Sequence, residues 1–155
     1  MATLEQAIAL AARLHEGQRD KAGEPYILHP LQVMLSVEGE EARIVAILHD
    51  VLEDSQHSAQ ELLQQGFSAR IVDAIQALTR RESETYEEFI RRAGANPLAR
   101  KVKIADLNHN LDLRRLPSLS DEDLARVQRY WQALRYLQAL EGSAGDGGDS
   151  PPGAD

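Results

Sequence analysis

His49-Asp50, followed by Glu53-Asp54, puts one imidazole and three carboxylates within six residues. If residues 44–54 form one helix, successive positions turn by ~100°. His49 and Glu53 are then i,i+4 neighbours, as are Asp50 and Asp54, and Asp50 and Glu53 are i,i+3. The four polar groups share one side, and Ile44, Ile47, Leu48, Val51 and Leu52 occupy the other. Buried in a cleft, such a face does metal and water chemistry; facing solvent, it is a charged surface. Two further segments carry candidate groups. On a helix through residues 101–111, Lys103, Asp106 and Asn110 fall within ~60° of one another, offering a cation, a carboxylate and an amide opposite Ile104, Leu107 and Leu111. A solvated face would look the same. In the segment from Gly23 to Pro30, His29 stands where a loop enters a helix, a place also suited to a structural histidine.

The elements that must position these groups read as helices almost throughout. Thr3 and Gln6 fit a capping box ahead of the stripe Leu4, Ala7, Ile8, Ala11 and Leu14. Residues 17–30 are rich in Gly and Pro and read as a loop, with Pro30 suited to the first turn of a short helix. Ser58 with Glu61 caps a helix that Gly66 stops. Residues 68–78 are amphipathic, Thr85 with Glu88 opens another helix, Asn96-Pro97 opens one reaching about Arg114, and Ser120 with Asp123 caps the last. No alternating strand signal appears. The expectation is an all-α fold, one compact domain over residues 1–140 with seven or eight helices.

Composition narrows the function classes. The chain has 155 residues, 43% of them hydrophobic, enough for one core. Residues 141–155 lack large apolar side chains and are expected to form a disordered acidic tail rich in Gly, Pro and Ser. With no cysteine, disulfides and thiolate metal sites are excluded, which suits a reducing cytoplasm. No run approaches the ~20 apolar residues of a membrane span, and the short apolar stretch at residues 7–12 lacks the basic flank of a signal peptide. A net charge of −8 argues against general nucleic-acid binding. It leaves room for an anionic small ligand, because a metal and a few lysines can make a local field positive.

Taken together, His29, His49-Asp50 and Asp106 resemble the H…HD…D ligand set of HD-domain phosphohydrolases. The match extends further. His15-Glu16-Gly17-Gln18 with Gly23-Glu24-Pro25-Tyr26-Ile27 and His29-Pro30 is similar to the entry motif of RelA/SpoT-type alarmone hydrolases. Leu48-His49-Asp50 with Glu53-Asp54 resembles their HDxxED motif, and residues 102–106 with His109-Asn110 resemble their VKLAD…HN segment. The resemblance covers roughly residues 4–140 and leaves no space for a synthetase domain, so the chain looks like the small, stand-alone form.

The resemblance implies roles. His29, His49, Asp50 and Asp106 would hold a divalent ion, usually Mn²⁺; mixed N/O ligands suit such an ion, and zinc or iron would also be compatible. The ion would bring a water's pKa towards neutrality, with Glu53 and Asp54 orienting that water and moving protons. Carboxylates near the C-terminal end of a helix oppose its dipole, which favours a functional reading of that pair over a packing one. Lys21 and Lys103 would meet phosphates, as would Arg80 or Arg81; Asn110 matches a position near the ribose, and Tyr26 one beside the nucleoside. Two departures bear on the base. Asp20-Lys21 stands where the long enzymes carry Arg-Lys, with Arg19 one place early, and Asp112 replaces a basic residue. An aspartate near the base would accept from the amino group of guanine or adenine alike. The implied reaction is 3′-pyrophosphate hydrolysis of (p)ppGpp or (p)ppApp, a small-molecule nucleotide substrate. The alternatives are a phosphatase on another nucleotide, such as NADPH or a deoxynucleotide, and a non-catalytic nucleotide-binding module.

Overall fold

The computed structural model describes residues 1–146. Among them, nine α-helical segments and one 3-10 turn follow in order: α1 Leu4–Leu14, α2 Leu28–Leu35, α3 Glu40–Leu48, α4 Val51–Asp54, α5 Ala59–Gln64, α6 Ala69–Ala77, α7 Tyr86–Gly94, α8 Pro97–Asn110, the turn Leu113–Arg115, and α9 Asp121–Asp146. No strand occurs among the described residues; one isolated bridge pairs Arg19 with Pro25. No described helix is long and apolar enough to cross a membrane.

The caps act as the side chains dictate. Thr3 and Gln6 form a reciprocal capping box, and Ser58, Ser68 and Thr85 each accept an N–H of the first turn that follows. Asn96 takes two such N–H groups ahead of Pro97. Each satisfies donors that the helix itself leaves unpaired, a contribution of about 1 kcal/mol.

Helix α3 is the centre of the packing. It lies against α1, α2, α6 and α8, and Ile44, Val45, Ala46, Ile47 and Leu48 are all buried in the main core. A helical stretch apolar on every side, as residues 44–48 are, must be enclosed on every side. A second cluster, with Phe89, Leu107, Leu134 and Leu137, joins α7, α8 and α9. Gly94 sits where α7 meets α9; a Cβ there would stand 2.9 Å from Leu140 Cδ1 and 3.0 Å from Leu137 Cδ2.

Three boundaries differ from the sequence reading. The helix expected across residues 44–54 breaks: α3 ends at Leu48, His49 caps it, and Asp50 turns the chain into the four-residue α4. The dipole argument for Glu53 and Asp54 therefore lapses, because one short turn carries little macrodipole. Helix α8 stops at Asn110 rather than near Arg114, where Asp112 caps the 3-10 turn. Helix α9 runs to Asp146, and Glu141 pairs with Arg100 at 2.5 Å. The first residues of the expected tail are thus helical, and residues 147–155 lie outside the described residues.

Candidate metal centre and active site

The break after Leu48 is what builds the site. As α3 closes, its C-cap His49 turns its Nδ1 onto the Ala46 carbonyl at 2.6 Å. A carbonyl only accepts, so Nδ1 carries the hydrogen and Nε2 of the neutral ring is a lone pair. That buried Nε2 has no hydrogen-bond partner. It stands 3.0 Å from Asp50 Oδ2 and 3.5 Å from Asp106 Oδ1.

Two more elements converge on the same point. His29, in the first turn of α2, brings Nε2 to 2.8 Å from Asp106 Oδ1. Ligand atoms of His29, His49 and Asp50 lie within 4.8 Å of one another, and Asp106 from α8 joins them through its contacts to both rings. His29, His49 and Asp106 are buried. Electron-rich atoms this close repel unless positive charge lies among them. The burial that would discourage a charged imidazole is overcome at His49 by Asp50 and Asp106, which push its pKa well above the ordinary value. Burial would likewise raise the two carboxyls, yet His49 holds Asp50 down at about 2. Lys103, with His29 and His49, holds Asp106 well below the usual range. The field that favours a proton at His49 Nε2 favours a cation in the same space. Two imidazoles and two carboxylates fit a divalent ion that accepts mixed N/O ligands.

The surroundings set the orientation of these groups. Tyr26 donates its hydroxyl hydrogen to Asp50 Oδ2, and burial followed by the Asp50 charge raises its pKa strongly. Lys103 Nζ donates to Asp106 Oδ2 at 2.8 Å, and Asn110 Nδ2 to Oδ1 at 3.1 Å. The Lys103-Asp106-Asn110 face is therefore real, but it closes on itself: the lysine expected at a substrate phosphate is the counter-ion of a buried aspartate. On the far side of His29, its Nδ1 and His109 Nδ1 are hydrogen-bonded at 2.7 Å, with the two rings stacked. Such a partner sets which nitrogen of His29 is the lone pair. Burial, the adjacent His29 and Arg115 lower the His109 pKa.

Glu53 and Asp54 are exposed at the rim of this cluster. Glu53 Oε1 accepts from the Arg80 N–H at 2.5 Å. The Asp54 carbonyl accepts from Gln18 Nε2 at 2.8 Å, and Gln18 Oε1 is bonded in turn to Nδ1 of the buried His15. Desolvation in the cleft raises both carboxyls above their ordinary values, with Asp50 adding to it in each case. Sequence reasoning placed His15, Gln18 and His109 inside motifs without giving them a role. The i,i+3 spacing of His15 and Gln18 was the available signal.

A cleft of about 350 Å³ adjoins the cluster through Tyr26 and Asn110 and is lined also by Lys21, Arg19, Arg115 and Tyr130. Lys21, Tyr26 and Asn110 are thus brought together. Arg80 is not; it lines a separate hollow with Arg81 and His57, and its guanidinium lies over the Tyr86 ring. The two aspartates that depart from the long enzymes are already engaged. Asp20 Oδ1 accepts from the N–H groups of Ala22 and Glu24, closing the loop that carries Lys21. Asp112 is bidentate to Arg114. Both still line the cleft beside Lys21 and Asn110.

Comparison with known proteins places this arrangement in context. The family model described as "HD domain" matches residues 7–140. The guanosine-3′,5′-bis(diphosphate) 3′-pyrophosphohydrolase of Haemophilus influenzae is 34% identical over 134 residues, covering 77% of this chain and 20% of that protein. A GTP pyrophosphokinase of Myxococcus xanthus is 31% identical over 141 residues, covering 80% of this chain and 18% of its own length. The chain thus spans about a fifth of the length of these curated relatives. A solved structure described as a metazoan ortholog of SpoT that hydrolyzes ppGpp superposes with a TM-score of 0.70 at 23% identity, covering 92% of this chain and 87% of that one. At that identity it speaks for the shared fold.

Proposed function

The chain belongs to the HD-domain family, its model matching residues 7–140, and from that premise we propose that it is a divalent-metal-dependent 3′-pyrophosphohydrolase of alarmone nucleotides. The observation that carries the proposal is the buried His49 Nε2, unpartnered and facing the oxygens of Asp50 and Asp106 beside His29, with two raised carboxyls at the rim. Further support comes from relatives whose names specify 3′-pyrophosphohydrolysis of guanosine bis(diphosphate).

His29, His49, Asp50 and Asp106 would hold the ion, Mn²⁺ in this reading, which when bound supplies Lewis acidity to a phosphoryl oxygen and acidifies water. The remaining work falls to the chain itself. Glu53, kept in place by the Arg80 N–H, accepts a proton from the attacking water; its raised pKa brings it closer to the working range of a general base. Asp54, with its main chain tied to Gln18, orients the same water. The water oxygen bonds to the phosphorus nearer the ribose, the bond from that phosphorus to the 3′-oxygen breaks, and the 3′-oxygen leaves with a proton. Pyrophosphate results, with the nucleoside 5′-diphosphate when the substrate is ppGpp or ppApp. Lys21 at the cleft mouth meets the phosphates, while Tyr26 and Asn110 line the passage between ligand cluster and nucleoside. Lys103 contributes through Asp106, which it holds ionised.

The test is chromatographic product analysis with Mn²⁺ and ppGpp, ppApp or NADPH, each repeated with chelator. Chelator-sensitive pyrophosphate release from an alarmone is the expected result, and the substrate turned over names the base. Turnover of NADPH alone, or silence on all three with metal bound, would overturn the proposal.

A further inference from the structure

Outside the ligand cluster, the most highly connected polar group is the Arg92 guanidinium on α7. Its Nε and Nη2 form a fork on the Glu84 carboxylate at 2.8 and 2.9 Å. The same guanidinium donates to the carbonyls of Gln76 at 2.9 Å and Thr79 at 2.7 Å, at the end of α6 and just beyond it. Glu84 also takes the Arg81 N–H at 3.2 Å, and its own N–H returns to the Arg81 carbonyl at 3.1 Å. The Arg80 Nε reaches the Glu84 carbonyl at 3.3 Å. Residues 78–85 are therefore tied down from both ends and from within. The Glu84 side chain is only 8% exposed, so water competes weakly for these bonds.

One main-chain donor of this loop points out of the network. The Arg80 N–H is the hydrogen bond that Glu53 Oε1 receives, 27 residues away in sequence. Glu53 lies in a turn of only four residues and is exposed, so its own element does little to hold it. A satisfied helix end after α6 would explain the bonds to Gln76 and Thr79. It does not explain why Glu84 and Arg81 are drawn into the same fork, which leaves Arg80 between two fixed points.

We infer that Arg92 and Glu84 are positioning residues for Glu53, acting through the Arg80 N–H. Neither touches the cleft. The inference rests on the reading of Glu53 as the general base of a pyrophosphohydrolase. Lysine cannot replace Arg92, because a single ammonium lacks the planar fork that spans the acceptors.

The experiment pairs an activity readout with one that needs no activity. Arg92→Lys and Glu84→Gln change little volume and keep the chain foldable. Each is expected to lower kcat at least fivefold, with KM and Mn²⁺ affinity within twofold of wild type. In a Glu53→Gln background, Arg92→Lys should change the residual kcat by less than twofold, because the group it positions is gone. The amide proton resonance of Arg80, read by NMR in the full chain, should lose its charge-assisted downfield shift in Glu53→Gln and in Arg92→Lys alike. Multiplicative kcat losses in the double variant, or an Arg80 resonance unmoved by Arg92→Lys, would overturn the inference. If wild type hydrolyses neither alarmone, the functional reading fails separately, and the Arg80 resonance still decides whether the clamp holds Glu53.

Discussion

The ligand cluster and the carboxylate rim lie side by side, yet they are held by opposite means. His29, His49 and Asp106 are all buried. His29 and Asp106 are fixed by side chains, an imidazole, a lysine and an amide on Asp106 and a second histidine behind His29, and His49 is anchored within its own helix on the Ala46 carbonyl. Glu53 and Asp54 are exposed and fixed through main-chain groups, the Arg80 N–H and the Asp54 carbonyl. To bind a cation a carboxyl must be ionised and an imidazole must offer a lone pair, and both must be close to their partners and immobile, which packing in a buried cluster provides. A group that moves protons needs contact with water and a less extreme pKa, so it stands at the rim and is steadied at a distance.

Removing one member of each region should separate them. Asp50→Ala is expected to abolish both metal binding and turnover, read by metal titration and pyrophosphate release; a variant that still binds metal at wild-type affinity would show that Asp50 is no ligand. Glu53→Ala should keep the metal and lose about 10²–10⁴-fold in kcat, the range of a general base, and full activity would remove that role. Leu48→Ala lies beneath the cluster in the apolar core. It should cost about 2–5 kcal/mol of stability in a denaturant melt, with any surviving folded protein still binding metal. His109→Ala should weaken Mn²⁺ affinity about 10–100-fold, the usual effect of losing a partner behind a ligating histidine, and leave kcat at saturating metal nearly intact.

The smallest effect concerns the loop behind the rim. The Arg92 fork, with the Arg81 N–H, holds the Glu84 carboxyl at about 2, below the ~4.3 of an unfolded glutamate. A folded pKa below the unfolded value means that the contribution is complete above ~4.3 and fades as pH falls towards 2. The melting temperature of wild type should therefore exceed that of Glu84→Gln at neutral pH, with the gap narrowing over that acid range. A constant gap would show that charge on Glu84 contributes nothing.

The helices and their starts were legible because local chemistry decides them: Thr3, Ser58, Ser68, Thr85 and Asn96 cap where their side chains must. The break at His49-Asp50 was not, since the apolar run through Leu52 continues the helical period across it. Lys103, Asp106 and Asn110 were expected on one face and are there, but their mutual bonds depend on burial that spacing does not reveal. Arg80 was expected at a phosphate for its side chain, whereas its backbone makes the contact with Glu53. A main-chain donor leaves no mark in residue type. The same holds for the pairing of His29 with His109 across 80 residues.

The division between binding and working groups is tested most directly by equilibrium dialysis of Mn²⁺ against wild type, Asp50→Ala and Glu53→Ala. The account predicts one ion per chain for wild type and for Glu53→Ala, and none for Asp50→Ala at the same free concentration. Loss of the ion from Glu53→Ala, or its retention by Asp50→Ala, would contradict it.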